Sequence, residues 1–297
     1  AAVAVVALLY RKLIPTAATA GLAAWMFAIE DSHAMPAAWL ANRNSLLPLV
    51  FGTLALMAHI RWQKEQRPRF LWVALVAFML ALSGGEAGLG ALAYIAAWQL
   101  TMTHLEGLKR LVPLAPYLVI VLAWRILYNA MGYGAQGSGP YVDPGTEPFA
   151  FLVAMFQRAP LLVTSLFSQV PADPWIFLPT SIQLAAVVLG YGICLVLVRL
   201  FRPLLQESAL ARFFGLGMVF SLVPVCASFP MDRLGTHAGI GAFGLIALLA
   251  QHRGFLQSTP PEQQSLGRLD RWGLSGLLLF HAVLATALLP GRIIQSK

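Results

Sequence analysis

Charged residues are what this sequence has least of. They fill 11% of its 297 positions, against roughly 25% in a soluble domain, while 59% are hydrophobic and the mean hydropathy is +0.73. A water-soluble globular chain is thereby excluded. Period-two alternation is also missing: stretches such as Leu178 to Leu200 are apolar on every side. Lipid offers backbone groups no hydrogen-bond partner, so only helices and closed barrels cross it, and a barrel strand would alternate. The expected fold is all-α, a helical membrane bundle crossing the bilayer about ten times.

Other absences narrow the function. Only two cysteines occur, Cys194 and Cys226, both inside apolar runs, and they read as buried free thiols. There is no Walker A loop, CxxC pair, HExxH, GxSxG or haem motif, so ATP-driven and serine-hydrolase roles find no support. No Lys/Arg stripe with interleaved aromatics is present. The net charge of +8 therefore reads as membrane topology rather than a nucleic-acid partner. No internal repeat is detectable, which weakens a transporter reading. A basic leader and cleavage site are missing too. The chain opens without Met inside the apolar run AAVAVVALLY, and the protein is expected to extend upstream of Ala1.

What is present is a series of apolar segments at about 1–10, 13–29, 45–60, 70–83, 88–103, 112–130, 178–198, 213–228, 237–251 and 273–290, within one membrane domain over 1–297. Alternating sides from a cytoplasmic Arg11–Lys12 places 14 of the 20 basic residues in cytoplasmic loops. That count requires 70–83 and 88–103 to be two segments joined by a hairpin. Seven of the twelve acids then fall on the outer face: Glu30, Asp31, Glu86, Asp143, Glu147, Asp173 and Asp232. A long outer loop spans about 131–180, irregular through GYGAQGSGPYVDPGTEP, with FAFLVAMFQRAPLLVTSLF expected as an interfacial or re-entrant helix. Residues 252–272 read as a polar cytoplasmic linker.

The polar residues concentrate in FAIEDSHAMPAAWLANRNSLL, 27–47. Adjacent Glu30 and Asp31 with His33 suit a hard divalent cation, Mg or Mn, or proton transfer. Arg43 offers a planar fork to phosphate. A helix over 34–44 would set His33 and Arg43 roughly 15 Å apart, with Trp39 at the interface. Solvated loop charges are the alternative. In LSGGEAGLG, Glu86 is expected either at a water-facing turn or in one cavity with Arg43, as its ion-pair partner or as a ligand. Arg125, near the outer end of its span where it could snorkel outward, and Arg233, beside Asp232 and His237 in a short outer loop, read equally as structural ion pairs or as contacts to an anionic headgroup. Arg158 would join them. His59, His104, His252 and His281 read as packing or loop residues.

The segment from Phe27 to Trp62 resembles the GT-C superfamily, multi-span glycosyltransferases that use polyprenyl-phosphate-linked sugars. It is most similar to bacterial relatives of the transmembrane protein O-mannosyltransferases that carry tetratricopeptide repeats. His33, Trp39 and Arg43 match that motif's second His, its Trp and its Arg, with Leu40 in place of Ile, and GGE ending at Glu86 resembles a later turn. The likeness covers 13–105. It departs where Glu30-Asp31 replaces His-Pro and Met35 replaces Glu. The resemblance implies inverting transfer at the outer face of a bacterial inner membrane. Glu30, Asp31 and His33 would form the catalytic group, Glu30 and Asp31 the metal ligands, and the main base would lie upstream of Ala1. Substrate contacts would be Arg43, Trp39, Glu86, Arg125 and Arg233. Two other readings stay open: a non-catalytic subunit with membrane-protein partners on a degenerate GT-C core, and a lipid or solute transporter.

Overall fold

The computed structural model describes residues 1–134, 139–256 and 268–295. The side chains of Asp31, Leu40, Ala41, residues 268–272, Ala282 and several positions in the last helix are not among those described. Most of the linker expected at 252–272, and residues 135–138 of the outer loop, likewise lie outside the described residues. Every regular element described is helical.

Each of the ten apolar segments carries helix: α1 (Ala2–Leu13), α2 (Ala17–Ile29), α4 (Leu46–Glu65), α5 (Pro68–Ser83), α6 (Leu89–Thr101), α7 (Ala115–Ala130), α9 (Thr180–Glu207), α10 (Ala209–Val225), α11 (Thr236–His252), and α12 (Arg268–Leu279) with α13 (Ala285–Gln295). The short α3 (Ala34–Ala38) and the long α8 (Pro148–Ser168) complete the set. Among the described residues, five helical stretches are long and apolar enough to cross a membrane: Asn42–Glu65, Gly107–Ala130, Pro148–Ser168, Thr180–Glu207 and Asp232–His252.

The elements follow from local chemistry. Gln66, in the left-handed conformation at φ 54°, ends α4, and Pro68 opens α5 two residues later. That left-handed cap and first-turn proline turn the chain sharply. Between α5 and α6, the backbone at Gly85 takes φ 134°, where a side chain would be strained. The expected hairpin is therefore two helices, not one broken span. α12 passes into α13 through a five-residue π turn, Phe280–Leu284.

α11 is the centre. Every residue from Thr236 to Ala250 is buried, and α2, α8, α9, α10 and α12 pack around it. The hydroxyls of Tyr10 and Tyr94 donate to its carbonyls at Ile240 and His237, at 2.7 and 2.8 Å. At the periphery the pattern inverts. In α7 only Tyr117 is buried, while Leu118, Val119, Leu122, Ile126 and Leu127 are exposed. Exposed apolar surface on this scale suits lipid, not water.

α8 departs from expectation in one respect. Its sequence suggests a helix lying at the interface or re-entering, yet it is 21 residues long and apolar enough to span. Its hydrogen bonds tie it to the acidic loops all the same. Arg158 donates to the carbonyls of Pro140, Cys226 and Ala227, and Gln169, just past its end, reaches Glu30.

Candidate functional site

The acidic loops meet at one end of the bundle, where they form two polar clusters rather than the single site expected.

The first cluster is buried. α2 stops at Ile29, and Glu30 caps it in an extended conformation (ψ 123°) that turns the side chain inward. Glu30 is 2% exposed and His281 0%. His281 Nδ1 lies 3.2 Å from Glu30 Oε2, and Gln169 Nε2 donates to the two carboxylate oxygens at 3.1 and 3.3 Å. Burial opposes ionisation of Glu30. The His281 hydrogen bond and charge, the charge of His33 and the Gln169 hydrogen bond outweigh it, and hold the carboxyl below its usual range. Ser32, Ser165, Gln169 and Asp232 border a small adjoining pocket, and Asp232 accepts the backbone N–H of Ala172 at 2.9 Å. His33 bonds the Phe27 carbonyl through Nδ1 at 2.9 Å and packs on the Phe27 ring. Its burial pulls its pKa down against the pull of Glu30.

The second cluster borders a groove of about 840 Å³ between α5 and α7, walled by Met79, Leu82, Ile120, Trp124 and Leu127, with Asn44 and Tyr133 also on its lining. Glu86 accepts hydrogen bonds from Tyr128, on the groove wall, and from Tyr141 at 3.2 Å. Burial and then the Glu86 charge push the Tyr141 phenol up to about 12, so it stays a proton donor at neutral pH. Beside them Arg125 pairs with Asp143. Burial opposes ionisation of Asp143, but the Arg125 hydrogen bond, the Gly145 N–H and the Arg125 charge keep it below its usual range.

Several expectations change. Residues 34–44 do not form one helix: α3 ends at Ala38, Trp39 is extended (ψ 113°), and Leu40–Ser45 winds as a 3₁₀ turn. Arg43 is exposed and donates from Nε to the Ala37 carbonyl at 3.2 Å. Glu86 is therefore not its ion-pair partner. For Arg125 it is the ion-pair reading that holds, with Asp143 as the partner. The Arg233 guanidinium sits 5.8 Å from the Trp39 ring centre, and its Nε donates to Met231 Sδ at 3.2 Å. His237 is not part of a loop ion pair but is buried in α11 against Gly52 and Gly90. Glu30 is already engaged by His281 and Gln169, and the Asp31 side chain lies outside the described residues. Among the described residues, no three His, Cys, Asp or Glu side chains come together to hold a metal ion.

Sequence reasoning missed His281, Gln169, Tyr128 and Tyr141 as members of these clusters. One signal was present: an imidazole inside the apolar run GLLLFHAVLATALL is costly at membrane depth and needs a partner.

No family model matches this chain, and neither does any curated protein or solved structure.

Proposed function

We propose that the chain is a GT-C type glycosyltransferase that takes a polyprenyl-phosphate-linked sugar at the outer face of a bacterial inner membrane, crossing that membrane about ten times. The observation that carries this reading is the groove between α5 and α7. It is apolar along its walls, lies between helices that expose apolar faces, and borders the polar cluster of Glu86, Tyr128 and Tyr141. An amphiphile with a long isoprenoid tail and a polar head matches that sequence of surfaces. In this reading the tail lies along Met79, Ile120 and Leu127, and Arg43, next to Asn44 on the lining, meets the phosphate. Trp39 and Arg233 flank that approach. Glu86 holds the acceptor hydroxyl, the two phenols fixing the carboxylate, and the Arg125–Asp143 pair braces the loop that carries Tyr141.

Sugar transfer by the protein in membranes tests this. Glu86→Gln is expected to lower turnover by about 10²-fold, the scale of misplacing a positioned acceptor group, with Tyr141→Phe losing less. Arg43→Ala is expected mainly to raise the donor KM. Transfer at wild-type rates in both Glu86→Gln and Arg43→Ala would remove the groove from the reaction.

A second reading, a non-catalytic subunit, is favoured by one specific observation: Glu30 and Arg125 are both engaged by partners within the chain. It predicts stable copurification with other membrane proteins, and assembly that survives Glu86→Gln and Arg43→Ala together.

A further inference from the structure

The opposite, basic end of the bundle holds a slot that the proposed transfer does not use. It lies between the last turns of α1 and α4 and measures about 270 Å³. Leu9, Leu13, Met57 and Ile60 line its inner part, while Lys12, Arg61, Lys64 and Glu65 stand at its rim. Leu9 is fully buried and Ile60 nearly so, whereas Lys12 and Arg61 are exposed and Lys64 stands at the slot's open edge.

The rim has a strong charge imbalance. Glu65 is its one acid among the lining residues, and it is taken by Arg61 at 2.6 Å, with Arg67 at 3.9 Å. The Arg61 guanidinium is further held over the Phe70 ring, 4.2 Å from its centre. Lys12 and Lys64 are left with no acidic partner among the described residues. Topology accounts for cations at this end, and a helix C-terminus favours one. Neither accounts for two ammonium groups, from different helices, over a concave apolar floor.

We propose that this slot binds the headgroup of an anionic phospholipid. Its phosphate lies between the Lys12 and Lys64 ammonium groups, and its first acyl carbons rest on Leu13 and Met57. A basic pocket between membrane helices is suited to anionic lipid heads, and a Lys ammonium meets phosphate as a compact point charge. The apolar floor selects a lipid over a free phosphate ion, because inorganic phosphate would leave Leu13 and Met57 uncovered. The site is independent of the groove between α5 and α7.

The test uses the full chain in nanodiscs or mild detergent, with bound lipid counted by native mass spectrometry. Phosphatidylglycerol and phosphatidylcholine are the two probes. Wild type is expected to retain phosphatidylglycerol in preference to phosphatidylcholine. The double variant Lys12→Gln/Lys64→Gln is expected to weaken phosphatidylglycerol binding about 30-fold, from about five-fold per lysine near the surface. Arg199→Gln/Arg202→Gln removes the same charge from α9, away from the slot, and is expected to leave retention unchanged. Equal losses in the two double variants would reduce the effect to net charge and overturn the site. So would unchanged binding in the lysine variant, equal retention of the two lipids, or displacement of the lipid by millimolar inorganic phosphate.

Discussion

Replacing His281 with leucine is expected to lower the unfolding free energy by about 1–3 kcal/mol, the scale of stripping a hydrogen-bond partner from a buried polar group. Glu30 and His281 are 2% and 0% exposed and 3.2 Å apart, so neither can turn to water. Without His281, the carboxylate would keep only the hydrogen bonds from Gln169. Glu30→Gln is expected to cost less, because an amide carries no charge to strand. The double replacement Glu30→Leu/His281→Leu should recover most of the loss, since apolar groups can fill a buried polar pair's space at little cost. The sign of the pH dependence follows from the lowered Glu30 pKa. A carboxyl depressed in the fold contributes stability that is complete above its unfolded value of about 4.3 and is lost as pH falls through the folded value. The gap between wild type and Glu30→Gln should therefore be flat near neutrality and shrink only below about pH 4. Thermal unfolding in detergent, followed by size-exclusion fluorescence, reads both effects. A His281→Leu protein as stable as wild type would remove this pair from the forces holding the last helix.

That pair also marks where sequence reasoning ran out. Lipid imposes a simple pattern, and all ten apolar runs, legible without any alignment, carry helix. The Gly84–Gly88 turn was legible as well, because the basic residues could be sorted to one side only if α5 and α6 were separate. Polar residues were legible one at a time, as costly at membrane depth, but not as partners. Glu30 meets Gln169 across 139 positions and His281 across 251. Adjacent Glu30 and Asp31 suggest an outward ligand pair, yet the extended backbone at Glu30 turns that carboxylate into the core. The neighbourhood of Glu86 was partly readable, since glycines on both sides announce a tight turn. Its phenolic partners were not, because Tyr128 ends a span and Tyr141 lies in a Gly- and Pro-rich loop without periodicity. The π turn left no trace either. Phe280–Leu284 is nearly continuous apolar sequence, and such a turn is a local change in backbone winding that hydropathy does not register.

Gly241→Leu is expected to yield no folded protein, and Gly241→Ala to cost about 3 kcal/mol, the upper part of the usual range for overpacking. Helices in lipid gain little from burying apolar surface against each other, so close backbone contact and van der Waals packing carry much of the association. α11 is buried on all sides, and α10 packs both on it and on α6. A Cβ at Gly241 would stand 2.3 Å from the Phe214 carbonyl oxygen, 2.7 Å from Met218 Cβ and 2.8 Å from the Tyr94 hydroxyl. The first of these is backbone, so α10 itself would have to shift. That shift would press on Tyr94, whose ring already sits 2.3 Å from where a Cβ on Gly217 would lie, and would strain its hydrogen bond to the His237 carbonyl. Gly192 supplies the control. It lies inside α9, and a Cβ added there would have no neighbouring atom within 4 Å. Gly192→Ala should leave packing untouched and stabilise the helix by up to about 1 kcal/mol through propensity alone. Midpoints of thermal unfolding for the two alanine variants should thus move in opposite directions. A wild-type midpoint for Gly241→Ala would mean that α10 and α11 do not approach closely enough to need glycine there.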